Sequence, residues 1–249
     1  MVFTLKDLVK LYSLKISGVI HIGAHYGEEY KSYVENKIKN LIFVEPLPDN
    51  YHHLLDALKP DFPSLESYPE RCELFSPKLQ TRIFTYNLAL GNQTGKMQMF
   101  VETVNQSQSS SVLKPKQHLQ QYPHITFDEQ QDVCLEKLDR LMPESCFNTI
   151  NIDVQGYELE VFKGGVQTLA KQIDYVYTEV NRAELYENCA QIAELDSFLS
   201  ELGFIRVIVN WIGDTWGDAL YIKRHLAPNP LLRRVLPLRF ARPFNKLFR

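Results

Sequence analysis

An α/β fold with a mostly parallel sheet covered on both faces is what this chain predicts, on three observations. Short, nearly continuous apolar runs recur: GVIHIGA (18–24), NLIFVE (40–45), FNTINIDV (147–154) and IDYVYTEV (173–180). Such runs suit strands buried on both sides. Stretches with helical apolar spacing fall between them, the alternation of a layered α/β domain. Finally, 249 residues at 45% hydrophobic and 23% charged suffice for one sizeable domain.

In chain order, a short leading helix precedes the strand at 18–24. A helix should follow with Tyr26, Tyr30, Tyr33, Val34 and Ile38 on one face. After the strand at 40–45, Pro48 suits a first helical turn, and Tyr51, Leu54, Leu55 and Leu58 follow at i, i+3, i+4 and i+7. Residues 59–80 carry four prolines and mixed polarity, and read as an irregular insertion. TRIFTYNLAL and KMQMFVETV flank GNQTG, a turn-rich joint between strands. Residues 105–131, rich in Gln and Ser, read as a loop long enough to act as a lid or acceptor-binding segment. Leu159, Phe162, Val166 and Leu169 mark a helix interrupted at Gly164-Gly165, and Ile192, Leu195, Phe198, Leu199 and Leu202 mark the last long one. FIRVIVN and ALYIKR bracket a Gly/Asp-rich joint and should close the sheet with an antiparallel hairpin.

Charge is uneven. The formal net is −3, yet no acidic residue follows Asp218 while eight basic ones do, which leaves the body with 19 basic against 30 acidic residues. An acidic body opposes a nucleic-acid partner. Residues 1–225 are expected to form one domain and 226–249 a basic tail, in which Pro228, Pro230, Pro237 and Pro243 prevent one long helix. Alternating basic and apolar residues there suit either weak contact with an anionic membrane surface or packing on the acidic body. No apolar run approaches a membrane span of about 20 residues. The N-terminus lacks a small-residue cleavage site, and Cys72, Cys134, Cys146 and Cys189 form no Cys-x-x-Cys pair. A cytoplasmic protein with reduced thiols is the expectation.

The chemistry begins at HIGAHYG. Gly23-x-x-x-Gly27 after a buried strand lets backbone approach a ligand at the carboxyl end of a sheet, where open α/β sheets bind ligands. The middle glycine of the dinucleotide G-x-G-x-x-G, against which a pyrophosphate would press, is missing. Glu45 ends the second strand, where a carboxylate can accept both hydroxyls of a ribose. A nucleoside without a pyrophosphate fits, and S-adenosylmethionine is one. A second signature is NIDVQGYELEVFKGG. Asp153 ends a strand, Gly156 permits a turn and Glu158 opens the next helix, while Glu179 and Asn181 end the neighbouring strand. Simple helix capping by Asp153 and Glu158 is the alternative.

At these motifs the chain resembles the FkbM-type S-adenosylmethionine-dependent methyltransferases. The ordered set is IHIGAHYG, FVEPLPDNYHHL, NLALGNQTGKMQMFV, SQSSSVL, VCLEKLDRL and INIDVQGYELEVFKGG followed by IDYVYTEV, over residues 18 to about 182. The resemblance implies a Rossmann-like class I methyltransferase fold, a mostly parallel seven-stranded sheet with helices on both faces. It also implies O-methylation of a glycan or small natural product. Carried over by position, His21, Gly23, Ala24, His25 and Gly27 would form the cofactor turn, Glu45 would hold the ribose, and Asn87 and Ala89 would border the adenine. Asp153, Gln155 and Glu158 would face the methyl group and acceptor. The family usually has an acidic residue where this chain has His21, Asn in place of His25, Lys in place of Asn151 and Glu in place of Gln155.

Methyl transfer to a hydroxyl needs a base, for which Asp153 is the first choice and Glu158 the second. Ser109, Ser110, Ser111 and Glu179 are expected to bind the acceptor. No metal is required; Asp153, Glu179 and Asn181 are the oxygen donors that could hold Mg²⁺. His118 and His124, on the 105–131 loop, read as solvated. A cofactor-binding scaffold without catalysis and an NAD-dependent oxidoreductase are the competing readings, the second opposed by the glycine spacing.

Overall fold

The computed structural model describes residues 5–65, 67–141 and 146–227. Its elements are α1 (Leu5–Tyr12), β1 (Gly18–Ile22), α2 (Tyr30–Glu35), β2 (Asn40–Val44), α3 (Pro48–Leu58), β3 (Arg71–Ser76), β4 (Thr81–Tyr86), β5 (Ala89–Leu90), β6 (Gly95–Val101), α4 (His118–Gln121), β7 (Glu129–Glu136), β8 (Thr149–Ile152), α5 (Glu158–Gly164), α6 (Val166–Lys171), β9 (Tyr175–Asn181), α7 (Ile192–Glu201), β10 (Phe204–Ile212) and β11 (Trp216–Lys223).

The main sheet has eight strands rather than the seven expected, in the order β10-β11-β9-β8-β1-β2-β4-β3. Five central strands run parallel, and β3, β10 and β11 are antiparallel to their neighbours. The extra strand, β3, lies inside the segment read as an irregular insertion. Its outward positions, Arg71, Glu73 and Phe75, are exposed, because an edge strand against β4 buries little, so no continuous apolar run announced it. The closing hairpin forms as expected, with β11 between β10 and β9.

A second sheet, β5-β7-β6, gathers the segments flanking GNQTG and the start of the VCLEKLDRL motif. Residues 105–131 are therefore not wholly loop: they hold α4 and the first residues of β7. The helix expected from Tyr26 to Ile38 shrinks to α2, with Ile38 buried beyond its end.

Strand alternation sorts the core into two faces. Ile20, Ile22, Ile42, Val44, Ile150 and Ile152 point to one side, where α5, α6, α7 and the small sheet pack on them. Val19, Leu41 and Phe43 point to the other, against Tyr33 of α2 and Tyr51, Leu54, Leu55 and Leu58 of α3. On that same side α1 places Leu8 against Tyr175 and Tyr177 of β9. His21 lies in register between Phe43 and Asn151, a polar break in an apolar layer. From β1 the chain runs outward to β2 and β4, then returns to place β8 and β9 on the other flank. The topological switch point is thus between β1 and β8, where Gly23 and Asp153 emerge side by side. Among the described residues, no helix is long and apolar enough to cross a membrane. Residues 228–249, most of the expected basic tail, lie outside the described residues.

Candidate functional site

The turn after β1 is built by close approach. Gly23 has φ +76°, and a Cβ there would stand 1.9 Å from the Asp153 carbonyl oxygen. Only a glycine lets the ends of β1 and β8 lie so near. Gly27, φ +78°, abuts Leu54 of α3 in the same way, at 2.6 Å. The Gly23 and Ala24 amides donate to Val44 O at 2.9 and 3.0 Å, which ties the turn to β2. Glu45, buried at the end of β2, accepts from the His25 amide (2.8 Å), the Leu47 amide (3.0 Å) and Asn50 Nδ2 (3.4 Å). Burial raises its pKa, and those three donors together with the nearby His25 oppose the rise. A carboxylate has about four acceptor sites, so one remains for a ligand.

Two chambers open at the carboxyl ends of these strands. The first encloses about 600 Å³ including its mouth. Gly23, His25, Glu45 and Asn50 supply its polar side, and Leu47, Leu88, Ala89, Leu90, Met99, Val112 and Tyr157 its apolar wall. Its size and one-sided polarity suit a small ligand with an apolar ring system at one end. The second, about 1290 Å³ including its mouth, is lined by His21, Glu28, Glu29, Ser109, His118, Tyr122, Glu179 and Trp216 among others. Gly23, His25, Gln108, Asp153 and Gln155 line both.

Asp153 stands where the chambers meet. Gln155, itself in the left-handed region at φ +53°, donates from Nε2 to Asp153 Oδ1 (2.7 Å) and reaches Glu179 Oε2 (3.3 Å). Its Oε1 accepts from Tyr186 Oη at 2.8 Å, and its backbone carbonyl accepts from Ser111 Oγ at 2.8 Å. An amide can donate to two carboxylates; the Glu usual at this position in the resembling family could not, because three carboxylates would face one another.

Other expected site residues take different places. Glu158, fully buried, accepts from the Val154 amide (3.0 Å) and the Gly156 amide (3.2 Å) and lines neither chamber. It holds the turn after β8 in shape and is not placed to touch an acceptor. Burial pushes its pKa up to about 7, with the Asp153 charge adding to the rise. Asn87 donates to Glu45 O (2.9 Å) and Pro46 O (3.0 Å) rather than lining the first chamber, which its neighbours Leu88, Ala89 and Leu90 do. Ser111 is buried under Gln155 and Ser110 Oγ accepts from the Glu102 amide, so of the three serines Ser109 faces the second chamber and Ser110 the first. His21 is buried beside Tyr33, whose hydroxyl lies 3.3 Å from Nδ1. It lines the second chamber rather than the first, and burial lowers its pKa, so it is neutral.

His25 lines both chambers, with Nδ1 2.7 Å from Glu28 Oε1 and Nε2 2.6 Å from Gln106 O. Both partners only accept, so both ring nitrogens must donate and the ring is an imidazolium. Its pKa is raised accordingly: burial opposes the charge, and the hydrogen bonds to Glu28 and Gln106 outweigh it. The cation latches the 105–111 segment onto the turn after β1.

Carboxylate oxygens of Asp153, Glu158 and Glu179 lie within 4.8 Å of one another. This oxygen set, with Glu158 in the place assigned to Asn181, is the one that could hold Mg²⁺. Asn181 is fully buried and lines neither chamber.

Of the apolar wall of the first chamber, sequence reading named only Ala89, and it missed the aromatic wall of the second. His118, read as solvated, is 4% exposed against Tyr122, Phe127 and Tyr186. Tyr122 and Phe127 lie on the same segment, and it is Tyr186, 68 residues on, that closes the ring off from solvent.

A Rossmann-like sheet whose switch point carries a glycine turn, a buried acidic residue and a cleft defines an open α/β protein with a ligand-sized cleft at the carboxyl ends of its strands. Residues 21–206 match the Methyltransferase FkbM domain, and the chain belongs to that family. It is similar to the 2-O-methyltransferase NoeI of Sinorhizobium fredii (strain NBRC 101917 / NGR234), with 39% identity over 82 residues, 32% of this chain and 33% of that protein. The chain thus matches about a third of the length of that curated relative. In fold it is similar to the methyltransferase FkbM of Methylobacillus flagellatus KT, at a TM-score of 0.53 and 14% identity, covering 83% of this chain and 43% of that one.

Proposed function

We propose that this protein is an S-adenosylmethionine-dependent O-methyltransferase acting on a hydroxyl of a glycan or small natural product. The observation that carries the reading is Asp153, shared by a nucleoside-sized chamber and a wider polar one. The first chamber would hold the cofactor, with Glu45 toward the ribose and Leu88–Leu90 and Met99 around the base. The cofactor supplies a methyl carbon already activated by its sulfonium. What this chain must do is hold an acceptor hydroxyl about 3 Å from that carbon and in line with the sulfur. A hydroxyl is a poor nucleophile at neutral pH, so Asp153 takes its proton as attack proceeds. Gln155 fixes the Asp153 carboxylate by holding Oδ1, and Oδ2 is the basic atom.

The same amide reaches Glu179 Oε2 and backbone amides hold Glu158 Oε1, while Glu158 Oε2 is buried with no partner, so each of the three carboxylates keeps an oxygen that a cation could use. Methyl transfer is proposed not to require a divalent cation, because the sulfonium activates the methyl carbon and Asp153 takes the acceptor proton. The similarity to a 2-O-methyltransferase supports oxygen as the acceptor atom. A cytoplasmic location is part of the proposal, with the basic tail packing on the acidic body or making weak contact with an anionic membrane surface.

Calorimetric titration with S-adenosylmethionine, S-adenosylhomocysteine and NAD tests the reading. Micromolar affinity for the two sulfur nucleosides, none for NAD, and a loss of at least tenfold in Glu45→Gln are expected. Binding of NAD alone would refute the proposal. If both sulfur nucleosides bind but no methyl reaches any hydroxyl acceptor, the chain is a cofactor-binding scaffold.

A further inference from the structure

Four carboxylates line the second chamber, Glu28, Glu29, Asp153 and Glu179, and among the described residues no lysine or arginine does. Glu28 is matched by the His25 imidazolium. Asp153 faces both chambers, so a cationic sulfur on the first side would partly balance it. Glu179 has neither relief. It is buried, lines the second chamber alone, and its nearest donor is Gln155 Nε2 at 3.3 Å. Behind it, Asp218 stands opposite in the β9–β11 register. Burial first, then the Asp153, Glu158 and Asp218 charges, hold the Glu179 carboxyl well above the usual range, the strain of a buried acidic group with no cation beside it among the described residues.

A second, independent feature faces the same space. His118 is more than nine-tenths buried, lines this chamber, and its Nδ1 has no hydrogen-bond partner. Burial pushes its pKa down to about 4, with His124 adding to the fall. It therefore adds no positive charge at neutral pH. Tyr122 and Trp216, joined by a 3.0 Å bond from Trp216 Nε1 to Tyr122 Oη, complete an aromatic wall. Buried carboxylates, a neutral imidazole and electron-rich ring faces share one preference, which is for a cation.

We infer that the acceptor carries a protonated amine and that the second chamber seats it against Glu179, selecting amino-bearing polyols such as amino sugars over neutral or anionic ones. This deepens the methyltransferase reading and rests on it. The ammonium would donate to the Glu179 carboxyl oxygens.

The test uses the full chain saturated with S-adenosylhomocysteine and titrated at pH 7 with glucosamine, kanamycin, glucose, N-acetylglucosamine and glucuronic acid. The amines are expected to bind at least tenfold more tightly than glucose or N-acetylglucosamine, and glucuronic acid more weakly than either. Glu179→Gln should abolish the amine preference while keeping affinity for S-adenosylhomocysteine. Equal binding of the acetylated or neutral sugars, tighter binding of glucuronic acid, or no amine binding by a protein that binds S-adenosylhomocysteine would each overturn the inference. Failure to bind S-adenosylhomocysteine would instead remove the cofactor reading on which it rests.

Discussion

Glu158→Gln is expected to make this protein more stable, and only above mildly acidic pH. Glu158 is fully buried and its pKa rises from 4.5 to about 7, chiefly because burial disfavours the charged form. A carboxyl whose folded pKa exceeds its unfolded value helps the folded state when protonated. That advantage is complete below the unfolded value near 4.5 and is lost as pH rises toward 7. Above that, ionised Glu158 lowers the stability by about 3 kcal/mol, the gap of about 2.5 pH units at 1.36 kcal/mol each. The glutamine side chain would keep one acceptor oxygen for the Val154 and Gly156 amides and carry no charge. Urea unfolding at pH 4.5, 7 and 8.5 measures the difference. Near-equal stabilities at pH 4.5 and a gain of about 3 kcal/mol at pH 8.5 are expected. A gain independent of pH, or a loss at pH 8.5, would show that Glu158 is stabilised as an anion and refute the reasoning.

Other perturbations separate the parts of the site. Gly23→Ala combines a left-handed φ with a Cβ 1.9 Å from the Asp153 carbonyl, so a loss of at least about 2 kcal/mol and of cofactor affinity is expected in urea unfolding and calorimetry. Gly213→Ala, φ +61° with nothing within 4 Å of the added Cβ, should cost about 1 kcal/mol and leave affinity unchanged; equal losses from both would remove the close-approach argument. Ser111→Ala deletes a buried hydroxyl that donates to Gln155 O and accepts from the Leu113 amide. It should cost about 1–2 kcal/mol and slow turnover more than it weakens cofactor binding. The His25 latch, faced by Glu28, Glu45 and the stacked Tyr26, depends on a raised pKa, so its two bonds are complete at low pH and one is lost as pH rises through that value. Cofactor affinity should fall over that range in wild type and stay level in His25→Asn; a level wild-type profile would contradict the imidazolium.

How much of this was legible in the chain differs from residue to residue. Gly23, Gly27, Glu45 and Asp153 were, because each sits at the end of an apolar run whose identity as a buried strand depends on local pattern alone. The strand β3 was not, since an edge strand against β4 needs no apolar run. Asn87, Ser111 and Glu158 have residue types that suit ligand contact as well as they suit backbone hydrogen bonding, and sequence cannot say which donors will lie within about 3 Å. His118 is the opposite case: Tyr122 and Phe127 lie near it in the chain, but its burial also depends on Tyr186, brought from a distant segment.

The sequence by itself determined the alternation of strands and helices, the glycine turn and acidic strand ends, and membership of the family, all set by short-range spacing and order. Only the tertiary structure decided which polar groups face the cleft and which hold it together. The reason is that burial, the partners of each carboxylate and the charge state of each imidazole depend on groups tens of residues apart, brought to one place by the sheet order.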